Sequence, residues 1–401
     1  MTRKPRVAAI CTVYYPMSHA DVIATKFMKG ASTDDGLIEL EADLVSIYID
    51  HVLDNDIGHQ LAGEHGIPIY PSIRKALHAG GDELGVDAVL LIGEHGDYPW
   101  NERGRLMYPR RYFFEQIAGV FAESGRSLPV FNDKHFAYDY TDARWMWDRA
   151  QELDIPLMAG SSLPVCWRSP FVEHDKGAAI EEAVSIGYGG QEAYGYHALE
   201  TLQCMIERRR GGESGVVSVQ CVKGDEVWKA RDRGLWSEEL AAAAIAQIQA
   251  ICDGPIEEAV AKAVGEPLAF LMEHTDGFRS ATLMFGGSFG YAARVDGQVV
   301  GTEFFLQNEG PFAHFSYLCS NIVNFFQTGV APYPPARTLL TTGIIEAVMN
   351  SDHEGGRKIE TPHLADLAYE SYDQMPVRPS GPRPTGAAVD RQAPDKIRDF
   401  S

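Results

Sequence analysis

The sequence predicts an α/β protein. A doubly wound parallel sheet fills roughly the first 165 residues, and an α+β half with an open, mainly antiparallel sheet follows. Two observations carry this. Short continuous apolar runs, such as Val7-Ala8-Ala9-Ile10-Cys11-Thr12-Val13 and Val86-Asp87-Ala88-Val89-Leu90-Leu91-Ile92, alternate with helical stretches. Strands buried on both faces of a parallel sheet have that character. After residue 268 the chain changes to apolar segments broken by Asp-Gly and Gly-Gly pairs, the mark of hairpins.

In chain order, a first strand covers 7–13, and Ser18 is placed to cap a helix running to Lys29. Residues 44–50 form the next strand, 55–65 have helical character, 66–70 are short and strand-like, and Pro71-Ser72 opens another helix. A buried strand at 86–92 is followed by a helix at 106–123, a strand at 128–132, a helix at 140–153 and a strand at 155–159. The second half reads as a strand at 183–187, a helix at 192–210, a strand at 216–222 and an alanine-rich helix at 237–252. Hairpin strands from 268 to 308 turn at Asp276-Gly277, Gly286-Gly287 and Asp296-Gly297, and two helices follow at 314–327 and 336–350. Arg208-Arg209-Arg210 reads as a solvated helix end. From Pro376 the chain is rich in Pro, Gly and Arg, as an extended or disordered arm is. The expected division is 1–165, 166–375 and a tail, 376–401.

The 401 residues are 45% hydrophobic and 23% charged, close to globular averages, so a large core is expected. Lys and Arg number 35 against 56 Asp and Glu, a formal charge of −21 that repels phosphate backbones and anionic lipid. Neither nucleic acid nor a membrane is an expected partner; a small-molecule substrate is. The six cysteines form no CxxC pair, which fits thiols in a reducing cytoplasm. No apolar run approaches the roughly 18 residues of a membrane helix. The basic opening Arg3-Lys4-Pro5-Arg6 reads as the lead into a strand rather than a signal peptide.

An ordered set of motifs resembles the glucose–fructose oxidoreductase/inositol dehydrogenase/MocA family. Leu44 to Asp50, then Glu64-His65-Gly66-Ile67-Pro68-Ile69-Tyr70, is similar to that family's second strand, its acidic residue and its "YGIPAY" turn. Val86 to Ile92 is similar to "VDAVIIATP", and Asn132-Asp133-Lys134-His135 occupies the place of "EKP". Gly189-Gly190 followed by Gly195-Tyr196-His197-Ala198-Leu199-Glu200 is similar to "GG…DxGxHxxD", and 337–351 to the C-terminal helix.

The resemblance implies a Rossmann-like first domain and an oxidoreductase acting on a sugar, polyol or related hydroxy compound with a nicotinamide cofactor, NAD favoured by Asp50. Lys134 and His197 would handle the hydroxyl proton, with Glu200 one helical turn along. Thr12, Val13, Tyr14, Asp50, Gly93, Glu94 and Asn132 would line the cofactor. His95, Asp97, Tyr98 and Tyr194 are the substrate candidates. An open sheet face also calls for cover, so a homo-oligomer (dimer or tetramer) is expected.

The sequence departs from the family at four places. The first loop, Thr12 to His19, holds no glycine where the family carries its phosphate cradle. His135 replaces the signature proline, and Ala193 the Asp four residues before the histidine. Gly93-Glu94-His95-Gly96-Asp97 replaces small residues after the 86–92 strand. Glu94, His95 and Asp97, with His19, His135 or His197 converging, could hold a divalent cation or hydrogen-bond substrate. Tyr14, Tyr15, Tyr98 and Trp100 could form an aromatic wall. A second reading therefore stands beside the first: a non-redox lyase, hydrolase or isomerase, metal-dependent or not, on the same fold. A third is a binding or assembly protein without catalysis.

Overall fold

The computed structural model describes residues 3–33, 36–248, 255–307 and 312–381. Five parallel strands lie in the order Asp43–Ile49, Arg6–Cys11, Ala88–Ile92, Val130–Asp133 and Leu157–Gly160. The apolar runs that announced them are buried throughout the middle of the sheet. The expected strand at 66–70 shrinks to one bridge between Ile47 and Ile69, because Pro68 brings no N–H to the ladder. Ser18 caps helix His19–Lys29 by accepting from Asp21 N, and Ser72 caps Ile73–Leu77 in the same way. Strand order reverses between Arg6–Cys11 and Ala88–Ile92, which opens a crevice at the carboxyl ends of those strands.

The second half is built on an eight-stranded sheet in the order Ile359–Glu360, Val216–Lys223, Leu268–His274, Arg279–Met284, Ile180–Ile186, Phe289–Val295, Gln298–Phe305 and Trp167–Ser169. Neighbours run antiparallel except Arg279–Met284 beside Ile180–Ile186. Asp276-Gly277 and Asp296-Gly297 join paired strands as expected. Gly286-Gly287 does not: strand Ile180–Ile186 is inserted between its two flanking strands. A local turn signal cannot register a strand arriving from earlier in the chain.

Helices Ala193–Ile206 and Ala336–His353 pack on one face of this sheet. The opposite face, expected to be open, is covered by the chain itself. Helices Asp225–Asp232, Glu238–Ile245 and Ile256–Val264 close a core in which Trp236, Leu240, Ala244 and Ile248 meet Val184, Ile186, Phe285 and Ala292. The alanine-rich helix approaches so closely that a Cβ on Gly301 would stand 2.9 Å from the Ala243 carbonyl oxygen. The exposed sheet face behind the expectation of a homo-oligomer is thus absent among the described residues.

Three further expectations change. The alanine-rich helix ends at Ile245, and Cys252 lies outside the described residues, as does Asn308. Arg208 and Arg209 are buried, pairing with Glu173 and with Glu213 and Asp276. Of the expected arm, 376–381 is docked: Val377 N donates to Asn321 Oδ1 at 2.9 Å, and Arg378 pairs with Glu173. Residues 382–401 lie outside the described residues. The five described cysteines are buried free thiols. Among the described residues no helix is long and apolar enough to cross a membrane.

Candidate active site

A cleft of ≈ 330 Å³ lies where the carboxyl ends of the parallel strands face helix Ala193–Ile206. His19, Glu94, His95, Lys134, His197 and His314 form its polar side. Tyr108, Tyr188, Tyr194, Phe289 and Phe315 form an aromatic side. Four lining residues, Met17, His95, Lys134 and Phe312, hold left-handed φ values of 68, 68, 59 and 56°. Such conformations cost about 1–3 kcal/mol each and persist where the surroundings over-determine them, as functional sites do.

Three anchored groups converge here. His19 opens the first helix, and its Nδ1 lies 2.6 Å from Asp133 Oδ2, at the end of strand Val130–Asp133. A carboxylate only accepts, so Nδ1 carries the proton and Nε2 is the basic nitrogen. His197 Nδ1 lies 3.1 Å from Ser161 Oγ. The Ser161 hydroxyl donates to Glu200 Oε2, while its N–H donates to Glu200 Oε1 at 3.0 Å. Its oxygen therefore accepts from His197 Nδ1–H, again leaving Nε2 as the basic nitrogen. Gly160 makes this approach possible: a Cβ there would lie 2.7 Å from Glu200 Oε1. Lys134 Nζ, the third group, pairs with Glu94 Oε1 at 2.9 Å.

Electrostatics set the charges. Burial pushes the Glu94 carboxyl up, but Lys134 and then Arg110 outweigh it and hold the group well below its ordinary value. Arg110 pairs with Glu94 and reaches His135 Nε2 at 3.3 Å. Burial lowers His95 to about 4, with His19 adding to the effect. Burial and then the Lys134 charge also lower His197, and burial lowers His314 to about 3. These imidazoles rest neutral near pH 7.

The loop where the family holds a dinucleotide pyrophosphate is closed by its own side chains. Met17 N donates to Asp21 Oδ2 at 2.8 Å, Tyr15 N and Asp21 N to Ser18 Oγ, and His19 N to His95 Nδ1 at 3.4 Å. Pro16 brings no N–H, and Asp21 puts a negative charge in the first turn. A helix N-terminus binds phosphate through free N–H groups and its dipole; these residues do not form such a cradle. At the ribose end, both Asp50 oxygens accept from tyrosines, Tyr48 OH and Tyr98 OH, each at 2.7 Å.

The structure brings together His19, Glu94, His95, Lys134, Tyr194 and His197, with Glu200 behind His197. Others serve the scaffold. Thr12 Oγ1 donates to Glu94 O at 2.6 Å, Val13 is buried, and Asn132 Nδ2 donates to His135 O at 3.2 Å. Gly93 packs on the Arg110 side chain. Tyr14 points into the core, its hydroxyl 2.9 Å from Thr25 Oγ1. Asp97 and Trp100 are exposed, and Tyr98 faces Asp50. Of the expected wall of Tyr14, Tyr15, Tyr98 and Trp100, only Tyr15 lies beside a cleft residue, its ring 5.7 Å from that of His95; the place of the wall is taken by Tyr188, Tyr194 and Phe289. Glu94 is engaged by two cations, and among the described residues no group of three or more His, Cys, Asp or Glu could hold a metal ion. The quartet Glu94, His95, Asp97 and His19 forms no metal site. Missing from the sequence reading were Asp133, inside the motif quoted for Lys134, and Arg110, which no local pattern marks.

No family model and no curated protein matches this chain. Solved structures match its fold. GenD2 from gentamicin A biosynthesis, in complex with NAD, aligns over 90% of this chain and 97% of its own, with 14% identity and a TM-score of 0.53. Apo scyllo-inositol dehydrogenase from Lactobacillus casei aligns over 90% and 99%, with 11% identity and a TM-score of 0.53. Myo-inositol dehydrogenase from the same organism, with NAD(H) and myo-inositol, aligns over 89% and 96%, with 10% identity and a TM-score of 0.52. The chain therefore has the two-part fold of these dehydrogenases.

Proposed function

We propose that the chain is an enzyme and that its cleft carries out acid–base chemistry on a hydroxyl or carbonyl group of a small polar compound, of the sugar, polyol or related hydroxy class. One observation carries this: two imidazoles with Nδ1 anchored, His19 and His197, converge with Lys134 on a single cleft. A positioned imidazole contributes typically about 10²–10⁴-fold to a proton transfer. An ammonium at the reacting oxygen favours its anionic form. The faces of Tyr188, Tyr194 and Phe289 suit the CH face of a ring. In this reading Lys134 and His197 act on substrate, Glu200 orients His197 through Ser161, and 1–165 and 166–375 are the two functional units.

A non-redox lyase, hydrolase or isomerase is the first form of the reading, because the first loop does not form a pyrophosphate cradle. Oxidation with a nicotinamide is the second, favoured by the match to dehydrogenases solved with NAD. It requires Ser18 and Asp21 to release the N–H groups they hold. Melting curves with millimolar NAD, NADH, NADP and NADPH separate the two, since a ligand that binds the folded state raises its stability. The first form expects no shift with any of them; a clear rise with NAD makes the second form the working one.

A further inference from the structure

We infer that His19 and His197 act as a two-base pair that inverts a carbon bearing a hydroxyl next to a carbonyl, so that the reaction is an epimerisation of an α-hydroxy carbonyl compound. The inference rests on the acid–base reading above and adds the reaction class to it.

The geometry is that of two equivalently held imidazoles set in different halves of the chain. His19 opens the first helix of the parallel-sheet half, and His197 lies in helix Ala193–Ile206 of the other half. Both line the cleft between those halves. Each ring is locked at Nδ1 by an acceptor that is itself fixed: Asp133 for His19, and the Ser161 hydroxyl, held by Glu200, for His197. Both therefore present Nε2, and neither Nε2 is engaged by another described residue. A single general base needs only one such ring. Two rings in the same tautomer, one on each side of a substrate, can remove a proton from one face of a carbon and return one to the other.

The step balances without an oxidant or a metal. One imidazole Nε2 takes the proton from the α-carbon, and the C–H electron pair becomes the C=C bond of an enediolate as the carbonyl pair moves onto oxygen. The Lys134 ammonium, held by Glu94 at 2.9 Å, is the cation available to that oxygen. The ring opposite enters the step as an imidazolium, having taken a proton from water at its Nε2; it then protonates the α-carbon from the other face, and the C=O re-forms. The two rings finish with their protonation exchanged, ready for the reverse direction.

The test follows the α-hydrogen in D₂O. The probes are the separate enantiomers of 2-hydroxycyclohexanone, with fructose and tagatose as polar α-hydroxy ketones. Proton NMR reads exchange, and chiral chromatography reads inversion. The wild type should exchange and invert both enantiomers. His19→Asn should lose inversion by at least about 10²-fold, yet still exchange the α-hydrogen of one enantiomer with retention; His197→Asn should exchange only the other. Asp133→Asn leaves the His19 ring in place but removes its anchor, and should give the His19→Asn pattern; this guards against a folding artefact. Exchange by the wild type with strict retention, or loss of exchange for both enantiomers in one variant alone, overturns the two-base assignment and leaves the acid–base reading standing. No exchange by the wild type with any probe overturns both.

Discussion

Asp133 Oδ2 lies 2.6 Å from His19 Nδ1, joining the end of the fourth parallel strand to the start of the first helix across 114 residues of sequence. Asp133 is fully buried, and its other oxygen has no partner among the described residues. The carboxylate is committed to the imidazole. Asp133→Asn keeps the shape but offers an amide that can donate, which reverses the tautomer of His19. Turnover, read as inversion of the α-carbon, should fall by about 10²–10⁴-fold with little change in melting temperature. Unchanged inversion would remove His19 from the machinery.

Lys134 and His197 should behave as a unit. Lys134→Met and His197→Ala each lower kcat strongly, and the double variant loses less than the product of the two, since groups serving one transition state are non-additive. Rates and melting curves for the two single variants and the double variant check this. A histidine that only filled the core would show the reverse: His197→Ala would melt early and spare turnover.

The self-covered sheet gives a packing prediction. At Gly301 a Cβ would stand 2.9 Å from the backbone oxygen of Ala243, whereas at Gly290 the nearest atom is the flexible Cδ1 of Ile248, at 2.7 Å. Backbone cannot yield as a side-chain end can. Gly301→Val should therefore cost about 1–3 kcal/mol and Gly290→Ala less. Thermal melts of the two variants rank them; equal losses would mean that the alanine-rich helix does not bear directly on the sheet. Gly301→Val should also expose apolar sheet surface and promote self-association at high concentration, seen by light scattering.

Acid stability should carry a histidine signature. Burial, then the neighbouring Arg168 charge, lowers His174 from 6.5 to about 4. Between those values the unfolded chain binds a proton that the folded chain refuses, so stability falls as pH drops from 6.5 towards 4 and is level above. A difference of this size is worth up to about 3 kcal/mol. His174→Gln keeps a donor for the Tyr291 hydroxyl, 3.0 Å from His174 Nε2, and should flatten that part of the curve. Denaturant melts of both proteins between pH 4 and 7 isolate the difference; parallel curves would mean that His174 is protonated in the fold.

Much of the architecture was legible because its signals are local. The buried runs at Arg6–Cys11 and Ala88–Ile92, the caps at Ser18 and Ser72, and the Asp276-Gly277 and Asp296-Gly297 turns each act through a few neighbouring residues. Lys134 and His197 could be placed because each sits at a fixed offset from such an element. What joins distant segments was decided only by the tertiary structure. The His19–Asp133 pair, the Arg110 clamp on Glu94, the strand Ile180–Ile186 inserted beside Arg279–Met284 and the alanine-rich helix lying on Gly290 and Gly301 all belong to this class. Periodicity and turn chemistry say that a residue lies at a strand end or on a helix face. Which other residue meets it there depends on how whole elements pack, and no local pattern records that.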